Sequence, residues 1–512
     1  MDLNLSEYAW RAVKSRARPA LCFRDRTLSY AELFGLSAKL ADALLDWGVG
    51  ARQRVLLPLS DTPAMVAAFL GCLTMGAVPV PLNPKLSRET LRYIVRDSGA
   101  AAVICEPEHW AASLEVVDGE RERPLLIVQD LYATAAPEHA RLSLRQALAM
   151  PGRAAFVGVP EDEAAFWQYT SGTTGEPKAV KHHARAMIES NELYARGVLS
   201  IGQGDRLYST AKMFFGYGLG NSLFFGLLNQ ALALLDDRWP SPAQVIENVR
   251  RFKPSVLFSV PALYQPLREY GAELAALMGP SARYCSAGSQ LPASLFADFR
   301  DRFGIELLDG IGATEMGHIF MSNRQGHARP GSTGTPVGGY RVELRDAAGE
   351  RISDGRQGVL WVAGPSMSLG YHDRPDSTQE RFRDGWYRTG DVFIPDGHGG
   401  YTYLGREDDL FKVNGQWVAP AQIEQFVLGT FSAIKEAALV PYETSEGLLR
   451  PMLFVVATDD GTLLSTLTDA LAREFEPYKR PTGYRVVSAL PKNDNGKLLR
   501  RALISSARGH HA

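Results

Sequence analysis

Tyr169-Thr170-Ser171-Gly172-Thr173-Thr174-Gly175-Glu176-Pro177-Lys178 gathers hydroxyls, two glycines and a lysine into one turn. Such a turn lets backbone N–H groups, hydroxyl donors and a cation converge on phosphate oxygens. It is not a Walker A loop, which needs G-x-x-x-x-G-K-[ST]; here the lysine follows Glu176-Pro177 and precedes Ala179. By composition alone the stretch is a polar surface loop between two ordered segments. Far downstream, Pro491-Lys492-Asn493-Asp494-Asn495-Gly496-Lys497-Leu498 offers a cation that a second domain could deliver to that loop.

The order Tyr-Thr-Ser-Gly-Thr-Thr-Gly-x-Pro-Lys resembles the phosphate loop of the adenylate-forming superfamily, which comprises acyl-CoA synthetases, adenylation domains and beetle luciferases. The likeness continues along almost the whole chain. Gly310-Ile311-Gly312-Ala313-Thr314-Glu315 resembles the segment that borders adenine and brings a glutamate to magnesium. Tyr387-Arg388-Thr389-Gly390-Asp391 resembles the ribose-binding segment, Gly405-Arg406-Glu407-Asp408-Asp409 the hinge, and Gly496-Lys497 the C-terminal catalytic lysine. Within the superfamily, Phe214-Phe215-Gly216-Tyr217-Gly218-Leu219-Gly220-Asn221 and Thr314-Glu315-Met316-Gly317-His318-Ile319-Phe320 resemble benzoate-CoA ligases and their aryl relatives. Gly216 stands where their pattern has Ala, Gly317 where it has Leu, and Ser289-Gln290 where it has Glu-Ala.

The resemblance implies a division of labour. Lys497 bridges the incoming carboxylate and the α-phosphate of ATP. Thr170, Ser171, Gly172, Thr173, Thr174, Gly175 and Lys178 hold the departing phosphates, and Glu315 acts catalytically by holding Mg2+. Ala287, Gly288, Asp309, Gly310, Ile311 and Thr314 frame the nucleotide, with Asp391 on the ribose hydroxyls and Arg406 nearby. Phe214, Gly216, Tyr217, Ala287, Gly312, His318 and Ile319 wall the aryl acid. Asp408 is the hinge, and Lys412, Gly415 and Trp417 belong to the CoA tunnel. Read without the family, several of these have plainer explanations. A Gly-Lys near a C-terminus is usually a surface lysine, an early Glu complements a helix dipole, and Asp391 beside Gly390 is a turn residue. His318 reads equally as a pocket residue or a satisfied structural histidine. His182 and His183 lack a third ligand at metal spacing and read as structural.

With 512 residues the chain exceeds one hydrophobic core, so at least two domains are expected. We place the boundary so that 1–407 forms an ATP- and aryl-acid-binding domain and 408–512 a mobile domain with the catalytic lysine. A net charge of -2 gives no reason to expect nucleic acid or an anionic membrane as partner. Cys22, Cys72, Cys105 and Cys285 form no C-x-x-C pair, and Met1-Asp2-Leu3-Asn4-Leu5-Ser6-Glu7 has no secretory h-region, which together suit the cytoplasm. Monomer and homodimer both remain open.

Ala64 to Leu82 is nearly all apolar, yet Gly71, Gly76, Pro79 and Pro81 interrupt it, so it reads as a buried helix and strand rather than a membrane span. Ser29 and Glu32 have capping-box spacing at the head of a helix ending near Gly48. Strand 54–58, helix 62–75, strand 77–80, helix 87–97 and strand 101–105 then follow in βαβ order. This predicts an α/β N-terminal region with mostly parallel sheets, and ligand loops at strand ends. From about Gly334 the text turns β-rich. After Asp408 it reads as a small α+β domain: helix 420–429, strands 434–441 and 452–458, helix 463–475 and strand 484–490. Glu407 alone reads as part of a solvated charge cluster.

The implied reaction is ATP-dependent, AMP-forming ligation of a small aromatic carboxylic acid to CoA. Gly216 lacks the methyl of the benzoate-ligase pattern, which predicts an apolar void beside the ring and a small substituent on it. Anthranilate or a hydroxybenzoate then suits the site better than benzoate. Transfer to a carrier-protein phosphopantetheine is an alternative acceptor chemistry. A non-catalytic sensor of nucleotide and aromatic acid is another class, disfavoured because binding alone does not need Lys497, Glu315 and Asp391 together.

Overall fold

The computed structural model describes residues 2–120, 123–132, 137–138, 140–171, 176–431, 433–444, 447–457, 463–493 and 498–508. Gly172, Thr173, Thr174, Gly175 and Lys497 therefore lie outside the described residues, as does the side chain of Ser171.

Helix Tyr30–Asp46 opens on the expected capping box: the Ser29 hydroxyl accepts from the Glu32 N–H, and the Glu32 carboxylate accepts from the Ser29 N–H. Two backbone donors that the helix cannot satisfy are thus covered. Helix Pro63–Thr74 is buried on every side, packed against helix Tyr30–Asp46 and strands Arg54–Pro58 and Val78–Leu82. Gly71 permits that approach, since a Cβ there would stand 2.9 Å from the Ser37 carbonyl oxygen. This accounts for the apolar run of 64–82, and no described helix is long and apolar enough to cross a membrane.

Two large sheets form the body. One is all parallel, in the order Val78–Leu82, Arg54–Pro58, Ala102–Cys105, Leu125–Val128, Leu142–Ser143. The other has nine strands. Its interior, Pro19–Phe23, Leu232–Leu235, Arg206–Ser209, Val256–Ser259, Arg283–Ser286 and Leu307–Gly312, pairs in parallel. The flanking strands Arg26–Ser29, Ile319–Ser322 and Thr335–Pro336 are antiparallel. The β-rich region beyond Gly334 is an antiparallel five-stranded sheet built on Arg341–Arg345, Gly358–Ala363, Trp386–Pro395 and Tyr401–Arg406.

After the short helical turn Glu407–Asp409, the chain forms hairpin Phe411–Val413/Gln416–Val418, helix Pro420–Thr430 and a three-stranded sheet of Ile434–Glu443, Leu449–Ala457 and Gly483–Val486. Two apolar clusters here draw their buried residues only from Phe411 onward. The last strand stops at Val486, short of the expected 490, and Leu490 is buried in one apolar cluster with Ala438, Val440 and Leu503. Glu407 also departs from the solvated reading: its carboxylate pairs with Arg388 of strand Trp386–Pro395.

Candidate active site

Strands Phe166–Ser171 and Pro177–His182, which flank the segment expected to hold phosphates, are antiparallel, with Thr170 opposite Lys178 and Ser171 opposite Pro177. Both strands are tied to helix Arg88–Ser98. Before the loop, the Tyr169 hydroxyl donates to Asp97 Oδ2 at 2.7 Å. After it, the Tyr93 hydroxyl donates to the Pro177 carbonyl at 3.1 Å. Arg374 Nη2 bridges the two anchors, donating to Asp97 Oδ1 at 3.0 Å and to the Tyr93 oxygen at 2.8 Å. Burial, and then the Asp97 charge, push the Tyr169 phenol far above its ordinary range, so it stays a proton donor.

Lys178 Nζ donates to Ser377 Oγ at 3.1 Å and lies 5.5 Å from the centre of the Tyr371 ring. The Tyr371 hydroxyl donates in turn to Glu315 Oε1 at 2.7 Å. The loop lysine and the glutamate, far apart in sequence, are therefore held around one tyrosine. Glu315 sits in the helical turn Thr314–Met316 and is 8% exposed. Among the described residues no cluster of three or more His, Cys, Asp or Glu side chains forms a metal cage. One buried carboxylate matches the donor set of Mg2+, which takes one or two carboxylates and completes its shell with phosphate oxygens and water.

The segment expected to frame the nucleotide lies at strand ends. Asp309, Gly310, Ile311 and Gly312 are at the carboxyl end of strand Leu307–Gly312, beside Ala287 and Gly288, which follow the neighbouring parallel strand Arg283–Ser286. The Asp309 carboxyl is 6% exposed, with Oδ1 lacking a partner among the described residues. Burial drives its pKa well above the carboxylate range. Gly312 is open to solvent, and Ile311 and Thr314 are half-buried. Across the β-rich sheet, Asp391 pairs with Arg406 at 3.1 Å in directly opposed register. Gly390, at φ 75°, sits inside strand Trp386–Pro395 where its pairing with Gly358–Ala363 shifts register, and a Cβ on it would strike Arg381 Nη1 at 2.7 Å.

On the acyl side, His318 is 3% exposed inside an aromatic box. Its ring centre lies 4.6 Å from Phe225 and 5.5 Å from both Tyr194 and Tyr217. Its Nε2 stands 3.3 Å from the Tyr217 carbonyl oxygen, and burial lowers its pKa to about 3, so the ring is neutral. Gly220 makes the slot, since a Cβ there would be 2.3 Å from His318 Cδ2. Phe214 meets Phe215 and Trp239 in tilted ring contacts, at 4.4 and 6.2 Å between centres. Ile319 is packed in the core with Met316 and Phe320. The apolar void expected at Gly216 is not apolar: a Cβ there would meet Gln168 Oε1 at 3.3 Å and the Gly317 carbonyl oxygen at 3.4 Å. His182 stacks on Phe166 at 4.7 Å and, like His318, is held neutral by burial, near a pKa of about 3. His183 faces the Met367 carbonyl instead.

Asp408 is exposed in the turn Glu407–Asp409, while its neighbour Asp409 pairs with Arg500 at 3.2 Å. Arg500 also forms a two-pronged pair with Glu424, joining the turn to helix Pro420–Thr430. Lys412 lies over the Trp417 ring at 4.7 Å across a tight hairpin whose corner, Asn414-Gly415, has both φ angles positive. Trp417 is half exposed. Two surface clefts, of about 400 and 580 Å3, lie beside Arg283 and Phe303 and contain none of the assigned side chains.

Asp97, Tyr93, Arg374, Tyr371 and Gln168 join the site without any signal in the sequence reading. The family model of the AMP-binding enzymes matches residues 8–372, and that of the AMP-binding enzyme C-terminal domain matches 422–497. The chain belongs to the AMP-binding enzyme family. This AMP-binding enzyme is 44% identical to an anthranilate–CoA ligase of Pseudomonas aeruginosa, over 98% of this chain and 96% of that one. It is 36% identical to a benzoate–CoA ligase of Thauera aromatica, over 90% and 87%. Its fold superposes on a crystal structure of an anthranilate CoA ligase in complex with anthranoyl-AMP with a TM-score of 0.91, at 28% identity and covering 99% and 97% of the two chains.

Proposed function

We propose that the chain is an ATP-dependent, AMP-forming aryl-acid–CoA ligase acting on benzoate or a small substituted benzoate such as anthranilate or a hydroxybenzoate. The observation that carries this reading is one short segment, 314–318. Glu315 is tied through Tyr371 to the loop lysine Lys178, and three residues on, the neutral His318 fills an uncharged aromatic box. The groups assigned to the phosphates and to the aromatic ring would thus lie a few residues apart, which supports activation of an aromatic carboxylate.

In the first step a carboxylate oxygen of the acid attacks the α-phosphorus of ATP. An acyl-phosphate bond forms, the α–β bridge breaks, and pyrophosphate leaves. In the second, a CoA thiolate attacks the acyl carbon and AMP departs with the bridging oxygen. No side chain becomes covalently attached, so the protein acts by positioning and charge neutralisation. We assign Lys497 to the carboxylate–phosphate encounter and Lys178 with Thr170 to the β- and γ-phosphates. The segment Asp309–Gly312 with Ala287 and Gly288 would frame adenine, and Asp391 the ribose. Glu315 would hold Mg2+, which when bound neutralises phosphate charge. The half-exposed pair Lys412 and Trp417 suits the tunnel role, with Asp408 as hinge between parts 1–407 and 408–512 and the cytoplasm as the compartment. The same first step followed by loading of a carrier protein is the second reading, and free CoA as acceptor separates the two. The test is pyrophosphate release that depends on an aromatic acid, followed by thioester formation with CoA.

A further inference from the structure

Gln168 is 1% exposed, and neither its carboxamide oxygen nor its nitrogen has a hydrogen-bond partner among the described residues. A buried amide left unpaired costs roughly 1–3 kcal/mol, an expense that nothing in the strand Phe166–Ser171 calls for. Its neighbours on the same face of the strand show what the position could have been: two residues back, Phe166 packs into the core against Phe69 and Phe224. An apolar residue at 168 would have packed likewise.

Gly216 and Gly317 meet at the same point. A Cβ on Gly216 would lie 3.3 Å from Gln168 Oε1, 3.4 Å from the Gly317 carbonyl oxygen and 4.0 Å from Gln168 Nε2. Gly216 is not among the residues with positive φ, so its backbone does not demand glycine, whereas Gly317, at φ 73°, does. The missing methyl at 216 therefore matters for what borders its place, and that is two buried oxygen acceptors, the Gln168 Oε1 and the Gly317 carbonyl oxygen. Gly216 itself is partly exposed and directly precedes Tyr217 of the aromatic box.

We propose that the Gln168 carboxamide, with the Gly317 carbonyl beside it, reads the ring substituent of the acid and favours a ring amino group over hydrogen or methyl. An amino group carries two N–H donors for two acceptors, a phenol one, and a methyl none. A purely apolar void would take methyl at least as well as amino. This inference rests on the aryl-acid reading above.

The test is kcat/KM for pyrophosphate release with benzoate, the three aminobenzoates and the three methylbenzoates. In the unaltered protein one aminobenzoate should exceed its methyl counterpart at the same ring position by about tenfold or more. Gln168→Leu should lower the ratio of that aminobenzoate to benzoate by about 10- to 100-fold, and Gln168→Met should act in the same direction, guarding against a folding defect particular to leucine. Equal use of amino and methyl acids overturns the inference. So does a Gln168→Leu variant that slows every acid alike, or a shift of the ratio by Tyr217→Phe but not by Gln168→Leu. If the unaltered protein releases no pyrophosphate with any aromatic acid, the aryl-acid reading itself falls, an outcome distinct from an unchanged ratio.

Discussion

Removing the Asp97 carboxylate should weaken ATP binding without touching the aromatic box. Asp97 receives the Tyr169 hydroxyl at 2.7 Å and Arg374 at 3.0 Å, with its side chain 7% exposed. Asp97→Ala leaves a buried phenol without an acceptor and a guanidinium without a counterion. Breaking a buried pair by removing one partner costs about 3–5 kcal/mol. Arg374 is 33% exposed, so water recovers part of its loss, and a net of about 2–4 kcal/mol is expected. If about 1.4 kcal/mol of that is felt where Tyr169 and Pro177 enter and leave the phosphate loop, KM for ATP rises about tenfold. Asp97→Asn, which keeps the shape but replaces one acceptor oxygen by an NH2 donor, should fall between. The assay is initial pyrophosphate release against ATP concentration at saturating aromatic acid, with KM for the acid measured in parallel. A lowered melting temperature with unchanged KM for ATP would show that the clamp stabilises the fold but does not position the loop.

Three further outcomes follow from the same structure. His182 and His318 are buried neutral at a pKa of about 3 against an ordinary 6.5, so the unfolded chain binds more protons between those values. Stability should be full above pH 6.5 and fall by about 1.4 kcal/mol per pH unit per histidine as pH drops through that window; His182→Leu should flatten the slope in acid denaturation curves. Gly220→Ala, with its Cβ 2.3 Å from His318 Cδ2, should destabilise by about 1–3 kcal/mol and raise KM for the aromatic acid while leaving KM for ATP unchanged, as steady-state kinetics would reveal. Lys497→Ala should cut adenylation about a hundredfold to a thousandfold yet still convert supplied aroyl-AMP with CoA; equal loss of both half-reactions would remove the lysine from its assigned role.

Much of the fold was legible because its signals are local. The capping box at Ser29 and Glu32 and the interrupted apolar run at 64–82 each declare themselves within a few residues, and the helices and strands lie where those signals point. The site was legible only where a family motif carried it. The Asp97–Tyr169 bond joins residues 72 apart and the Asp97–Arg374 pair residues 277 apart, separations at which no periodicity or spacing rule operates. Gln168 reads as an ordinary strand residue, and neither its unpaired amide nor its approach to Gly216 can be seen before the chain is folded. Glu407 looked solvated because its partner Arg388 arrives from another strand of the sheet. The polar surroundings of Gly216 were invisible for the same reason: a missing methyl can be read from sequence, but not what borders its place.

The most direct measurement of the central claim is a product balance on the unaltered protein supplied with ATP, Mg2+, CoA and anthranilate. The account predicts that AMP, pyrophosphate and the aryl-CoA thioester form in equal amounts, and that omitting CoA abolishes the thioester while pyrophosphate is still released. It is contradicted if no benzoate, aminobenzoate or hydroxybenzoate elicits pyrophosphate, or if pyrophosphate is released but free CoA accepts no acyl group.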